Sequence, residues 1–199
     1  GNKLTLKNAN LTNVDIEIRV GSATSAWTGG NLNSVYPQTF IGGMVGIAYK
    51  CAEVDNCTLG SDSSDIRLVG DAGYEAEGHS VAYTESSTKS NRVCVGGIIG
   101  SASNGGNSEQ LNLIITNCEV IGNSDGENVI SSTYSSGGVV GAIKLATVKT
   151  SCIENCKVSD MDIFSCITSG GITGIETSTS HHRYNNINVT GCNIGIFDS

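Results

Sequence analysis

The chain has 199 residues and a net charge of -8, from 19 acidic and 11 basic side chains, which allows one domain or at most two and excludes phosphate-backbone recognition, because no basic patch offsets the acidic balance. Gly, Ser, Asn and Thr account for 87 residues, and Ile plus Val number 36 against 9 Leu and 11 Ala. β-Branched side chains suit a pleated surface and Gly and Asn suit turns, so an all-helical protein is excluded; with no apolar run of about 18 residues, so is a membrane-spanning helix.

In chain order, residues 1–40 read as an N-terminal cap or atypical unit and 41–199 as a run of repeats, all within a single domain. The start, Gly1-Asn2-Lys3, carries no targeting pattern, and the leading Gly reads as an appended residue, so the chain is expected to be part of a longer protein. Leu11-Thr12-Asn13-Val14-Asp15-Ile16 is read as a first, degenerate copy of the repeat. Residues 21–39 hold the lone Trp of the chain, Trp27, with Tyr36 and Pro37; this aromatic pair suits stacking on a sugar ring or capping the open end of a coil, and the cap is favoured because solenoid ends must be covered.

The repeat itself has two parts. Gly-Gly-apolar-x-Gly occurs as Gly42-Gly43-Met44-Val45-Gly46, Gly96-Gly97-Ile98-Ile99-Gly100, Gly137-Gly138-Val139-Val140-Gly141 and Gly170-Gly171-Ile172-Thr173-Gly174. Each is followed by an apolar-x-Asn-Cys-x-apolar segment centred on Cys57, Cys118, Cys156 or Cys192, with Gly191 in the Asn place of the last. Period-2 alternation predicts a strand in the second part, and Gly flanking an apolar pair marks a turn or a close backbone approach. Units that cannot bury an apolar face alone must stack, so the expected fold is all-β: a single-stranded parallel β-helix of four to five irregular repeats with loop or hairpin insertions.

These residues resemble the GLUG-type repeat, Gly-Gly-Leu-Val-Gly followed by an apolar-x-Asn-Cys-apolar segment, over about residues 41 to 194. The resemblance implies extracellular or surface-anchored bacterial proteins, often adhesin-like, and similar repeats accompany a domain of IgA-cleaving metallopeptidases. Unit lengths of 33 to 54 residues between successive Gly-Gly elements depart from a uniform repeat.

The four repeated cysteines are expected to form one buried ladder of small hydrophobes about 4.8 Å apart or a multiple of it. Cys152 and Cys156, four residues apart on a strand, are about 13 Å from each other, too far for a disulfide. Neither Cys-x2-Cys nor His-x3-His occurs, so no metal or other cofactor is expected, and all 8 thiols are expected free. Asn56, Asn117 and Asn155 suit turns and can ladder through their amides; sequons at Asn10, Asn56 and Asn188 read as accidents of this motif. The run His181-His182-Arg183-Tyr184 reads as a polar loop rather than a metal or anion site, since neighbours on a strand face opposite ways.

The insertion 60–92 carries Asp62, Asp65, Asp71, Glu75, Glu77 and Glu85 with Tyr74, His79 and Tyr83, and reads as a solvated acidic hairpin with Ile66, Leu68 and Val81 as strand residues. The function expected is a non-catalytic extracellular adhesion or structural module, with Trp27, Tyr36, Tyr74, His79 and Tyr83 as candidate contacts to a glycan or a host or matrix protein. The alternative is a β-helix lyase or glycoside hydrolase that uses two carboxylates of the insertion, although paired-Asp and Gly-His-Gly signatures of polygalacturonase-like enzymes are missing.

Overall fold

The computed structural model describes residues 3–18, 38–49, 51–70, 92–103, 112–144, 150–165, 168–176 and 181–196. Every regular element among them is a strand. The first coil holds β1 (Leu4–Lys7), β2 (Asn10–Leu11), β3 (Val14–Ile18), β4 (Gln38–Gly42) and β5 (Val45–Tyr49). The second holds β6 (Cys51–Asp55), β7 (Thr58–Gly60), β8 (Ile66–Gly70), β9 (Arg92–Gly96) and β10 (Ile99–Ser103). The third holds β11 (Asn112–Thr116), β12 (Glu119–Ile121), β13 (Val129–Ser132), β14 (Ser135–Gly137) and β15 (Val140–Lys144). The fourth holds β16 (Thr150–Glu154), β17 (Lys157–Ser159), β18 (Asp162–Ser165), β19 (Thr168–Gly170) and β20 (Thr173–Glu176), and a fifth begins with β21 (His181–Asn185), β22 (Asn188–Thr190) and β23 (Asn193–Ile196).

Each strand pairs in parallel with its counterpart one coil away, which makes five parallel sheets, three of five strands and two of four. The chain is a parallel β-solenoid. Its interior is built from columns of register-matched side chains such as Leu6, Val54, Ile115 and Ile153 in the first sheet, and Ile16, Leu68, Ile130 and Ile163 in the third. From the second coil to the fourth these inward residues are essentially inaccessible to water. Burial of about 1.5–3 kcal/mol per such side chain is the main favourable contribution, and it exists only because a neighbouring coil covers each layer.

Two corners explain the motif. At the Gly-Gly corner, Gly42, Gly96, Gly137 and Gly170 share one register, and a Cβ on any of them would overlap the carbonyl oxygen three residues on. A Cβ on Gly43, Gly97 or Gly138 would overlap the carbonyl oxygen of the matching glycine in the next coil and would press on Leu59, Val120 or Val158 across the interior. None of these glycines has a positive φ; Gly60 and Gly191 are the described glycines that do. Close backbone approach, not turn geometry, is what the motif requires.

At the Asn corner the requirement is the reverse. Asn8, Asn56, Asn117, Asn155 and Asn186 all sit at φ between 51° and 55°, the left-handed region that Asn tolerates better than other side-chain-bearing residues. Their amides ladder along the axis: Asn56 Nδ2 donates to Asn8 Oδ1 (2.7 Å), Asn155 Nδ2 to Asn117 Oδ1 (3.3 Å) and Asn186 Nδ2 to Asn155 Oδ1 (2.8 Å), while Asn117 Nδ2 donates to Asp55 Oδ1 (2.9 Å). The next residue turns inward. Cys57, Cys118 and Cys156 are buried there, and each thiol donates to the carbonyl two residues back, at 3.4, 3.2 and 3.3 Å.

The register corrects three expectations. The inward column after Asn runs Ala9, Cys57, Cys118, Cys156, Ile187, as the bonds Thr58 N to Ala9 O and Asn188 N to Cys156 O show; Cys192 is not in it. Leu11–Ile16 and the segment around Cys192 align instead with Val158–Ile163, at the following corner, where Asn13, Asp160 and Gly191 take positive φ. The two corners share one local pattern, a left-handed residue followed by an inward apolar one, and only sheet register separates them. Second, Ile66 and Leu68 belong to β8, a core strand, so the insertion 60–92 divides into a short turn at 61–65 and a longer stretch at 71–91. Third, His181–Asn185 is a strand of the first sheet rather than a loop, held by pairing with Thr150–Glu154.

Candidate functional site

The repeat is interrupted most heavily at the corner between the third and fourth strand of a coil. The first coil leaves it at Ile18 and returns at Gln38; the second leaves at Gly70 and returns at Arg92. Ile18 pairs with Gly70, and Gln38 pairs with Arg92. The two longest insertions are therefore rooted side by side, about 4.8 Å apart in the sheet direction at each root. In the third coil the same corner takes only residues 133–134, and in the fourth only 166–167.

Specific contacts tie the strands at these roots to one another. Arg67, on the outward face of β8, bridges to β3 through Glu17 (2.7 Å) and Asp15 (3.3 Å). At Gly70 a Cβ would run into the side chain of Val93, so the strand ends that bracket the second insertion pack directly on each other. The inserted sequences differ in character: 19–37 contains Arg19, Trp27 and Tyr36 with no acidic residue, whereas 71–91 contains Asp71, Glu75, Glu77 and Glu85 beside Lys89. Trp27, Tyr36, Tyr74, His79 and Tyr83 lie outside the described residues, as do Asp71, Glu75, Glu77, Glu85 and Val81. What the structure places is the pair of roots from which these residues emerge.

Asp62 and Asp65, the described carboxylates of the former 60–92 stretch, are exposed on the turn after β7. Asp65 Oδ1 accepts Asn123 Nδ2 at 3.2 Å, a bond that ties the turn of the second coil to the longer turn 122–128 of the third. Sequence reading missed the residue that organises this corner. Asn128 is buried; its Oδ1 accepts the backbone N–H groups of Ile66 (3.2 Å) and Asn123 (3.1 Å), and its Nδ2 donates to Asn123 O (2.6 Å). The signal was weak, since one Asn among 19 carries no mark of burial. Beside it lies an open polar recess of about 220 Å³ whose lining includes Asn123, Asn128, Asp160, Asp162 and Asn193. Asn193 Nδ2 donates to Asp162 Oδ1 at 2.7 Å. Among the described residues no three His, Cys, Asp or Glu side chains converge as a metal site would need.

The outer face of the first sheet carries an electrostatic column. Glu53 is bracketed by Lys3 and by Lys7 (2.7 Å), and their hydrogen bonds hold its carboxyl down at about 2. Asp55 is held below the usual carboxylate range because Thr116 Oγ1 (2.8 Å) and Asn117 Nδ2 donate to it. Farther along, Arg183 meets Glu154 at 3.5 Å and donates to Cys152 Sγ at 3.7 Å. These groups join neighbouring coils; each donor finds its acceptor one rung away. No disulfide joins the described cysteines. Comparison with known proteins finds no matching family model, curated protein or solved structure.

Proposed function

We propose that this chain is a non-catalytic display module of an extracellular or cell-surface protein, similar in kind to GLUG-repeat adhesin-like proteins, and that it binds a glycan or a host or matrix protein through the insertions 19–37 and 71–91. The observation that carries the reading is the adjacency of their roots, Ile18 beside Gly70 and Gln38 beside Arg92. A rigid core with short corners elsewhere, and two long chemically distinct segments entering at one place, suits a composite recognition surface, because binding residues concentrate on loops held by a rigid scaffold. The aromatics of the first segment supply stacking area and the carboxylates of the second supply hydrogen-bond acceptors, a combination that matches polyhydroxylated ligands.

The test uses the corner of the third coil as a template. Replacing 71–91, 19–37 or both with Thr-Tyr, the residues at 133–134, shortens the insertions to a length this corner already accommodates. On arrays of glycans and matrix proteins, the intact chain is expected to bind at least one class, and either shortened chain is expected to lose that binding with its strand content unchanged. No binding above background by the intact chain, or binding that survives removal of both insertions, overturns the reading.

A further inference from the structure

We propose that Cys118 and Cys156 form a dithiol that closes to a disulfide between the third and fourth coils when the chain folds in the presence of a low-molecular-weight disulfide such as oxidised glutathione. The inference is independent of the display reading, since it concerns the interior of the solenoid and uses neither insertion.

The register singles out one column. Lys157 N donates to Cys118 O (2.9 Å) and Glu119 N to Cys57 O (2.9 Å), so Cys57, Cys118 and Cys156 follow one another on successive rungs. Register-matched neighbours on parallel strands are about 4.8 Å apart, inside the roughly 4.4–6.8 Å that the Cα atoms of a disulfide span. The other described cysteines have no cysteine on the next rung. Cys51 stands beside Asn112, Cys94 between Phe40 and Ser135, Cys152 between Ile114 and Arg183, and Cys192 beside Met161.

Three thiols in a column can form one bridge and leave one over. Cys156 Sγ leans back toward the third coil, reaching Ile115 O at 3.9 Å, and its thiol is the strongest influence on Cys118, keeping the Cys118 proton in place. Chain length favours the same partner: Cys156 lies 38 residues from Cys118 and Cys57 lies 61 away, and the shorter loop closes at lower entropic cost. Both side chains are buried, so the oxidant meets them before the coils stack. One cysteine thiolate attacks the glutathione disulfide, forming a mixed disulfide and releasing glutathione thiolate. As the fourth coil docks, the second thiolate attacks the protein-side sulfur of that bond and expels the other glutathione. Two electrons pass from the cysteines to the reagent, and the two thiol protons end on the two glutathiones. The free thiols of the column are the reduced half of this couple. The bridge ties together two coils whose stability otherwise rests on their mutual contacts.

The test refolds the intact chain from denaturant in a glutathione redox buffer, quenches with acid, alkylates the remaining thiols and maps the peptides by mass spectrometry. The Cys118 and Cys156 peptides are expected joined, with Cys57 alkylated. The bridged product should keep the circular dichroism of the reduced chain and melt about 5 °C or more above it, and dithiothreitol should abolish both the link and the shift. Cys57→Ala is expected to keep the bridge, whereas Cys118→Ala and Cys156→Ala are expected to fold and to lose the gain in melting temperature. The peptide map of the intact chain decides the matter even where a variant fails to fold. Cys118 and Cys156 both remaining thiols overturns the proposal, as does a bridge from Cys118 to Cys57 or any other cysteine, or a bridged product without the circular dichroism of the reduced chain.

Discussion

The Asn corner and the Gly-Gly corner both turn the chain in every complete coil, and they do so by opposite means. Asn117 stands at φ 55°, and its side chain is used, donating to Asp55 of the coil before and accepting from Asn155 of the coil after. At Gly138 the backbone lies outside the left-handed region, and what matters is the missing side chain, since a Cβ would overlap Gly171 O and press on Val158. One corner needs an unusual backbone with a polar group on it; the other needs an ordinary backbone with nothing on it. Residue types that share a reputation for turns thus serve unrelated physical ends in the same molecule.

The most forceful way to break this contrast is Gly138→Ala. Because the overlap is with backbone of the next coil, no rotamer change relieves it, and the loss of stability is expected to be about 3 kcal/mol or more by denaturant titration. A loss below about 1 kcal/mol would mean that the coils separate easily and that the glycine serves conformation instead. Asn117→Ala comes next, at about 2 kcal/mol, from the left-handed penalty and the lost ladder bond together. Asn117→Gly sharpens the point: it removes the penalty and keeps the bond loss, so about 1 kcal/mol is expected. Equal costs for Ala and Gly at 117 would show that backbone conformation plays no part there.

Cys118→Ala tests the inward position beside the Asn corner. Deleting a buried thiol that packs in the column and caps Thr116 O is expected to cost about 1 kcal/mol. The neighbouring Cys156 thiol and burial both push the Cys118 pKa up, so Cys118 should stay unmodified by a thiol reagent near neutral pH in the native protein and react fully once it is unfolded. Rapid native-state modification of Cys118 would contradict its burial.

The smallest effect is the pH response of the first sheet. Glu53 is held at about 2 in the folded chain against an ordinary 4.5, so the unfolded chain binds more protons between those values. The stabilisation is present in full above the ordinary value and is lost as the pH falls toward 2; the lowered Asp55 acts in the same sense. The thermal midpoint is therefore expected to decline as pH falls through this window. Replacing Lys3 and Lys7 together with Met should flatten part of that decline, and an unchanged profile would show that the bracket around Glu53 contributes nothing.

Much of the solenoid was legible because stacking repeats one chemistry. Gly42, Gly96, Gly137 and Gly170 align in the sheet as they align in the sequence, and Asn56, Asn117 and Asn155 stack as their shared motif indicated. Misreading came where two corners share a local pattern: Val189–Ile194 has a Cys in the expected place, yet the chain reaches the Asn corner earlier, at Tyr184-Asn185-Asn186-Ile187, where no Cys marks it. The candidate site was legible only as a list of aromatic and acidic residues in two separate stretches.

The sequence by itself determined that the chain stacks coils, which glycines share a register, and that Cys57, Cys118 and Cys156 belong to one inward column, because those properties repeat at each unit with the same residues. Only the tertiary structure decided which corner the terminal segments occupy, that the Gly-Gly pairs exclude a Cβ rather than supply a positive φ, and that the insertions after Ile18 and Gly70 leave from one place. These depend on pairing between strands 31 to 54 residues apart, and a pairing between distant strands leaves no trace in the local pattern of either.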